Sequence, residues 1–566
     1  MIKNYVIAVD IGTTTIRACL YDDRCQLVTV SQDTMEILRL DPRTQQAVRS
    51  RPKNPSAADI LPSLLPPLLP KLRPSKKSKP HLNQDVGAGA TDEMLVEIDP
   101  ERMFQQFTQV IKNVLEKVPD EKNIRLSMGL CCLRNSFILW DKMSLKPVSR
   151  FVVWSDTRAR KRCAEWNASW TIKGMNIVGG LLYKLTRKPR YKAAQIFKFI
   201  GGLVSHRLMV TIEESDKAQE LARLNRLGFG CIESWLLWKL SEGKVLLSET
   251  GNTSSTGMYD PFIADYNFMI LKLIGFPTKL LNPLCESAKR EPFLKVDTKF
   301  FGHPINVHCL LADQQAALYG VGGVRKGDVK ISLGTGTFVD LNTGSTPHAS
   351  MSGTYPLVGW RLNGKNTYIA EGNDHDTAVL LGWAQSAGLF DDVTKTSAMA
   401  ESTHNPGVYF VPAFGGLQTP INDDNACCGF LGLRPKTTKE QMVRAILEAI
   451  AFRVYQIWSA MSEEFGFKVP PRVRICGGVA NNDFVCQCVS SLLNLPMERV
   501  TEGGTAASKG VALMTGLMQG LWTEDEIEAK IGVEKVFQPD PKMRETLLAT
   551  FRKWKHAVDR CSNFYD

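Results

Sequence analysis

Val6-Ile7-Ala8-Val9-Asp10-Ile11-Gly12-Thr13-Thr14-Thr15 and, far downstream, Val329-Lys330-Ile331-Ser332-Leu333-Gly334-Thr335-Gly336-Thr337-Phe338 read alike. In each, an apolar strand enters a Gly/Thr turn and a second strand leaves it, Ile16 to Tyr21 in the first and Phe338 to Asn342 in the second. Glycine lets the chain turn sharply and lie close to a ligand, while backbone N–H groups and threonine hydroxyls donate to phosphate oxygens. Either stretch alone fits an ordinary hairpin turn. Their recurrence at the head of each half points to a duplicated anion cradle, with a nucleoside triphosphate held between two lobes.

The rest of the chain has the size for two lobes. Its 566 residues exceed what one hydrophobic core supports, and the reading divides it into domains over 1–325 and 326–540 with a tail helix over 541–566. Charged content of 22% is ordinary for a globular enzyme. The fourteen cysteines follow no C-x-x-C pattern, the nearest pairs being the adjacent Cys131-Cys132 and Cys427-Cys428. That usage suits free thiols in a reducing compartment. A strand begins almost at Met1, which leaves no room for a cleavable signal, and no apolar run reaches spanning length. A cytoplasmic protein without a membrane span is expected.

The net charge of +11 raises nucleic acid as a partner, so its location matters. Residues 41–90 hold nine Lys or Arg against three Asp, a balance of +6, so over half the excess sits in one segment. The same segment contains Leu61-Pro62-Ser63-Leu64-Leu65-Pro66-Pro67-Leu68-Leu69-Pro70. Prolines this dense remove backbone donors and block a continuing helix, which predicts a disordered surface insertion; docking to a partner groove is the alternative. Nucleic-acid binding is not expected, and a homo-oligomer is left open.

Between the cradles, Asp99-Pro100-Glu101 followed by Met103, Phe107, Val110, Ile111 and Val114 predicts a helix with an acidic first turn. Strands are expected at Ser127 to Leu133, Phe137 to Trp140 and Phe151 to Trp154, and helical stretches near 157–170 and 193–203. Such alternation argues for an α/β fold. Past the second cradle, Lys439 to Ser459 reads as an amphipathic helix. Val473 to Cys476 reads as a strand ending in Gly477-Gly478, with a helix from about Asn482 and another small-residue helix from Gly503.

These residues, in this order, resemble the FGGY carbohydrate kinases, and within them the glycerol kinases, over nearly the whole chain except roughly 38–92 and the last few residues. Asp10 to Thr15 with Arg17 is similar to that family's first phosphate loop, Ala312-Asp313-Gln314-Gln315-Ala316-Ala317 to its catalytic segment, and Gly334 to Phe338 to its second loop. Gly477-Gly478-Val479-Ala480-Asn481-Asn482 is similar to its adenine-side loop. The resemblance implies two actin-like (ribonuclease H-like) domains with ATP and Mg²⁺ in the cleft between them.

Phosphoryl transfer needs a metal to neutralise charge, donors around the phosphates and a base aligned with the attacking hydroxyl. Asp10, at a strand end beside the cradle, can offer a carboxylate to Mg²⁺, or it stabilises the turn. Thr13, Thr14, Thr15 and Arg17 would hold phosphates, with Arg17 otherwise an exposed strand residue; Gly334, Thr335 and Gly336 would face them from the other lobe. Asp313 follows the apolar Val307 to Leu311, which puts a carboxylate at a buried strand end as a general base, and it can cap the following helix as well. By resemblance, Arg134, Gln314, Trp154 and Phe338 bind a small polyol, with Tyr191 as the pocket tyrosine, while Ala378, Gly478 and Asn482 lie by the nucleotide. The chain departs from the family at Asn135, where a carboxylate is usual, at Ala378, usually glycine, and at Cys476, usually acidic. Three readings follow: phosphorylation of glycerol to glycerol 3-phosphate, phosphorylation of another small polyol or sugar, or a catalytically weak nucleotide-binding module.

Overall fold

The structure is a computed structural model that describes residues 3–41, 94–119, 123–467 and 471–565. The insertion expected over 41–90 lies, save residue 41, outside them. In the first half, β1 (Lys3–Ile11), β2 (Thr15–Tyr21), β3 (Leu27–Thr34), β4 (Ile124–Cys132), β5 (Leu294–Val296) and β6 (Ile305–Ala312) form one sheet in the order β5-β6-β4-β1-β2-β3. The first cradle is the β1–β2 hairpin, which pairs Asp10 with Arg17 and is closed by the Gly12 N–H donating to the Thr15 carbonyl at 3.0 Å. β1, β4 and β6 run parallel. On this sheet packs α1 (Pro100–Leu115), burying Met103, Phe107, Val110, Ile111 and Val114. Its start follows the sequence: the Asp99 carboxylate accepts the Arg102 N–H at 2.8 Å, and Pro100 sits where no N–H is needed.

An accessory antiparallel sheet stands beside it, in the order Leu38–Leu40, Leu95–Ile98, Phe151–Val152, Phe137–Asp141, Leu227–Cys231. The helical stretch expected near 157–170 is Arg160–Ala168, followed by α2 (Trp170–Thr186). The helix expected over 193–203 is not there: Pro189–Ala194 ends early and the next helix is Val204–Glu213. The cause is a side-chain clamp. Asn167 accepts the Phe199 N–H at 2.8 Å and donates to the Phe199 carbonyl at 2.9 Å, taking both backbone groups that a helix would have used.

Across the lobe boundary, α3 (Asp313–Gly320) leads into the second half, which repeats the first. There β7 (Val329–Leu333), β8 (Thr337–Gly344), β9 (Tyr355–Leu362), β10 (Lys365–Asp374), β11 (Val473–Cys476), β12 (Met497–Val500) and β13 (Val533–Phe537) run in the order β9-β10-β8-β7-β11-β12-β13. Here β7, β11 and β12 are the parallel set, and β7–β8 is the second cradle. The helix α4 (Lys439–Phe465) opens with a capping box between Thr438 and Gln441 and supplies Ile446, Ile450, Val454 and Ile457 to the core. Into that core α5 (Ala506–Gln519) does not go; it lies instead against the first lobe. Beyond it, α6 (Pro541–Cys561) sends Leu547, Phe551 and Trp554 into the second core, with the Trp554 indole donating to the Phe410 carbonyl at 2.7 Å.

The lobes meet where α3 crosses α5 at Gly320 and Gly510. A Cβ on Gly320 would stand 1.8 Å from the Ala506 carbonyl oxygen, and one on Gly510 1.8 Å from that of Ala316. Only bare backbone lets helices approach so closely. Past the crossing, Val511, Leu513 and Met514 of α5 share a buried cluster with Val6, Ala8 and Leu311 of the first sheet.

Candidate active site

Parallel strands bring their C-terminal ends to one edge of a sheet, and ligands bind outside that edge. In the first lobe β1 ends at Asp10-Ile11, β4 runs out to Leu133-Arg134, and β6 hands over to Asp313, the first residue of α3. The register aligns Asp10 with Cys131 and Cys131 with Leu311. With neighbouring strands spaced about 4.8 Å apart, Asp10 and the end of β6 stand about 10 Å apart along one edge. Charge agrees with that placement. Burial pushes the Asp10 carboxyl up to about 6, Arg17 pulls it down, and the Asp313 carboxylate adds to the rise.

The second lobe presents its own parallel edge. β7 ends before Gly334-Thr335-Gly336, β11 before Gly477-Gly478, and β12 shortly before Gly503-Gly504. Gly477 adopts φ 99°, and a Cβ there would stand 2.5 Å from the Leu333 carbonyl oxygen, so this loop folds tightly onto the second cradle. Arg17 spans the lobes: its Nη1 donates to the Gly504 carbonyl at 2.9 Å and its Nε to Gln32 at 3.1 Å. The Arg17 side chain is therefore held across the cleft rather than left free on a strand. Beside Gly334, Gly478 and Gly504 an added Cβ would meet no atom within 4 Å, so the loops border open space.

Arg134 is the hub between the lobes. Its Nε lies 3.4 Å from Asp313, its Nη2 2.9 Å from Glu371 on β10, and its guanidinium 5.6 Å from the centre of the Phe338 ring on β8. Burial opposes its charge, and the carboxylates of Glu371 and Asp313 outweigh that and hold it protonated. Glu371 is itself pushed up to about 7 by burial, against the pull of Arg134. Nothing in the sequence pattern singled out Glu371, which is buried on β10 between Ala370 and Gly372.

Gln314 is fixed from the opposite lobe. The fully buried Lys330 donates to its Oε1 at 2.8 Å and to its carbonyl at 3.1 Å, while pairing with Asp340 at 2.5 Å. That leaves the Gln314 amide N–H groups facing Asp313 at 3.5 Å. Asp313 also accepts the Gln314 N–H at 2.8 Å, but it does not cap the helix as the sequence suggested: it is the first residue of α3, the N-cap is Ala312, and no side chain makes a capping hydrogen bond there. Asn135 takes a left-handed φ of 53°, a region where asparagine is enriched over longer side chains. Its carbonyl accepts from the buried Arg207 at 2.5 Å, and Arg207 also binds the carbonyls of Val153 and Gly202. The Arg207 guanidinium thus ties the Asn135, Val153 and Gly202 backbones together, a second contact that sequence reading missed. Asn135 Oδ1, and Asn373 Oδ1 on the strand residue paired with Phe338, are buried acceptors with no partner among the described residues.

Trp154 donates its indole N–H to Thr13 at 3.0 Å and meets the His375 ring edge-on at 5.3 Å. Thr14 is exposed and Thr15 starts β2; Thr335 is exposed at the tip of the second cradle. The carbonyls of Gly334 and Thr335 accept the Ala378 N–H at 3.2 and 3.1 Å. Asn482 caps the helix Asp483–Leu493 and donates to Thr396 at 3.0 Å. Tyr191, half-buried on Pro189–Ala194, has no hydrogen bond or ring contact with this cluster among the described residues.

Among the described residues no group of three or more His, Cys, Asp or Glu is gathered to hold a metal by itself, and no helix is long and apolar enough to cross a membrane. Two facing lobes with glycine loops over an Asp, Arg and Asp cluster are the layout of a carbohydrate kinase of the actin-like fold. The N-terminal and C-terminal domain profiles of the FGGY family of carbohydrate kinases match residues 80–189 and 329–518. The chain is 38% identical over 472 residues to glycerol kinase 5 of Bos taurus, covering 83% of this chain and 88% of that protein. Against the glycerol kinase of Parabacteroides distasonis it is 30% identical over 473 residues, covering 83% and 90%. In fold it is similar to the crystal structure of Plasmodium falciparum glycerol kinase with ADP, at a TM-score of 0.77 and 21% identity over 99% and 98% of the two chains. The chain belongs to the FGGY family, as an ATP-dependent carbohydrate or polyol kinase of the glycerol-kinase-like kind.

Proposed function

We propose that the chain transfers the γ-phosphoryl group of ATP to a primary hydroxyl of glycerol, giving glycerol 3-phosphate and ADP. The observation that carries this reading is the shared cleft: Asp313, Arg134 and Asp10 emerge from neighbouring parallel strand ends, opposite the second cradle. Asp313 takes the proton as the hydroxyl oxygen attacks phosphorus and the bond from phosphorus to the bridging oxygen of ADP breaks. Arg134 orients the polyol hydroxyls, with Phe338 and Trp154 against its carbon chain. The unpaired Asn135 Oδ1 and Asn373 Oδ1 fit a ligand that brings hydroxyl donors. Thr13, Thr14 and Thr335 donate to phosphate oxygens, while Arg17 closes one end of the cleft against Gly504.

Asp10 suits Mg²⁺, since its half-buried carboxylate is desolvated and has a like charge in Asp313, offset by Arg17 and a hydrogen bond with the Cys131 side chain. Mg²⁺ is commonly held by one or two carboxylates together with substrate phosphates. When bound it neutralises charge on the transferred and leaving groups. The work of the residues is to hold, align and exclude water as the lobes close.

Two observations favour a second reading, in which the acceptor is another small polyol or a sugar. Asn135 carries no charge where the family has a carboxylate, and Tyr191 stands apart from the Arg134 cluster. Incubating the protein with ATP and Mg²⁺ against glycerol, other polyols and pentuloses, with direct detection of the phosphorylated product, separates the two. Glycerol 3-phosphate as the dominant product supports the first; turnover of a pentulose without glycerol would establish the second.

A further inference from the structure

We propose that the outward face of α2 docks the protein onto an anionic lipid bilayer. Most surface helices turn apolar residues inward, and α2 does the reverse. Trp170 is 87% exposed, Ile177 66% and Leu185 80%, with Val178 and Leu181 also exposed, whereas Ile172 and Gly179 are its buried residues. At 3.6 residues per turn the exposed five fall within about 100° of one another, opposite the buried two. Gly179 is held down by the next helix, where an added Cβ would stand 2.9 Å from Ala194. The apolar stripe is therefore fixed facing outward, and scattered exposed leucines elsewhere do not form such a row.

Its surroundings choose the occupant. Residues 158–200 hold eleven Lys or Arg against the single acid Glu165, a balance of +10. Arg158, Arg162 and Arg190 are tied to carboxylates; the other eight form no ion pair among the described residues. Lys173 and Lys184 line one edge of the stripe on the helix itself, and the exposed Arg187 and Lys188 continue it at the C-terminal end. Lys173 lies 5.5 Å over the Trp170 ring, where a long cationic side chain can cover apolar surface and still reach water. An apolar stripe with a tryptophan, lysines along one edge and further cations at its C-terminal end is the chemistry of a helix lying at a membrane interface. A second copy of this chain is a poorer occupant, because a two-fold contact would set this basic patch against itself. The segment 42–93 is basic too, so charge does not draw it here.

Sedimentation of the full chain with vesicles tests this. Vesicles of phosphatidylcholine alone should leave it in solution, while vesicles with about a third phosphatidylserine should pellet it at low salt, and salt of about 0.5 M should release it. Ile177→Glu with Leu181→Glu should weaken that binding by about tenfold or more, and Lys184→Glu with Arg187→Glu by about tenfold, with the melting temperature of both variants unchanged. Failure to pellet with either vesicle would overturn the proposal. So would phosphatidylserine binding that survives Ile177→Glu with Leu181→Glu, or a self-association of the parent that the same pair abolishes.

Discussion

With Glu371 changed to Gln, Arg134 would keep an acceptor and lose the charge that fixes it, leaving Asp313 as its ion-pair partner among the described residues. A guanidinium drawn toward Asp313 engages the group meant to receive the substrate proton. Glu371→Gln should therefore raise the KM for the polyol by about tenfold or more and lower kcat, since small misplacements of an orienting group are felt strongly in the rate. Nucleotide binding should change little. Steady-state kinetics with each substrate varied checks this, and an unchanged polyol KM would make Glu371 a purely structural residue. Residues at strand ends were legible from the sequence: Asp10 precedes a Gly/Thr turn, and Asp313 follows an apolar run. Glu371, Lys330 and Asp340 were not. In Val329-Lys330-Ile331-Ser332-Leu333 the lysine takes the polar place of an alternating strand, which ordinarily faces water; here it is buried and paired with Asp340 from the next strand. Alternation tells which side of a strand a residue takes, and not whether that side is covered.

Among the elements, the α3–α5 crossing is where a single methyl group has most effect. Gly510→Ala would drive a Cβ into the Ala316 carbonyl, and rigid backbone on both helices leaves no side chain to give way. The substitution should cost about 3 kcal/mol of stability, read as a lower denaturant midpoint. A near-neutral result would mean that the helices part without loss. Both cradles, α1 and α4 could be read in advance, because hairpin glycines, caps and the 3.6-residue period are local signals. The crossing could not be, since Gly320 and Gly510 are ordinary in their own helices and meet only in three dimensions. The missing helix over 193–203 has the same cause in reverse: Asn167, distant in sequence, clamps the backbone of Phe199.

At the scale of the whole molecule, buried carboxyls set a pH dependence. Burial pushes Glu233 up to about 8, helped by Glu249, and Glu249 up to about 7. Both pKa values lie above those of the unfolded chain, so the native state binds more protons; this contribution is complete below about 4.5 and fades as pH rises through about 7 to 8. The parent should thus lose stability over that range, by up to about 1.4 kcal/mol per pH unit for each proton. Denaturation of Glu233→Gln at several pH values should give a flatter slope there. An identical slope would assign the effect to other groups.

All scales converge on Asp313, where two strand-built edges, one inter-lobe arginine and the proposed acceptor hydroxyl meet. Asp313→Asn preserves its shape and removes its capacity to take a proton. Initial rates with ATP and the preferred polyol should fall by about a hundredfold or more, while nucleotide binding, followed by calorimetry on the same variant, stays near that of the parent. Turnover equal to the parent's, with nucleotide binding intact, would contradict the mechanism.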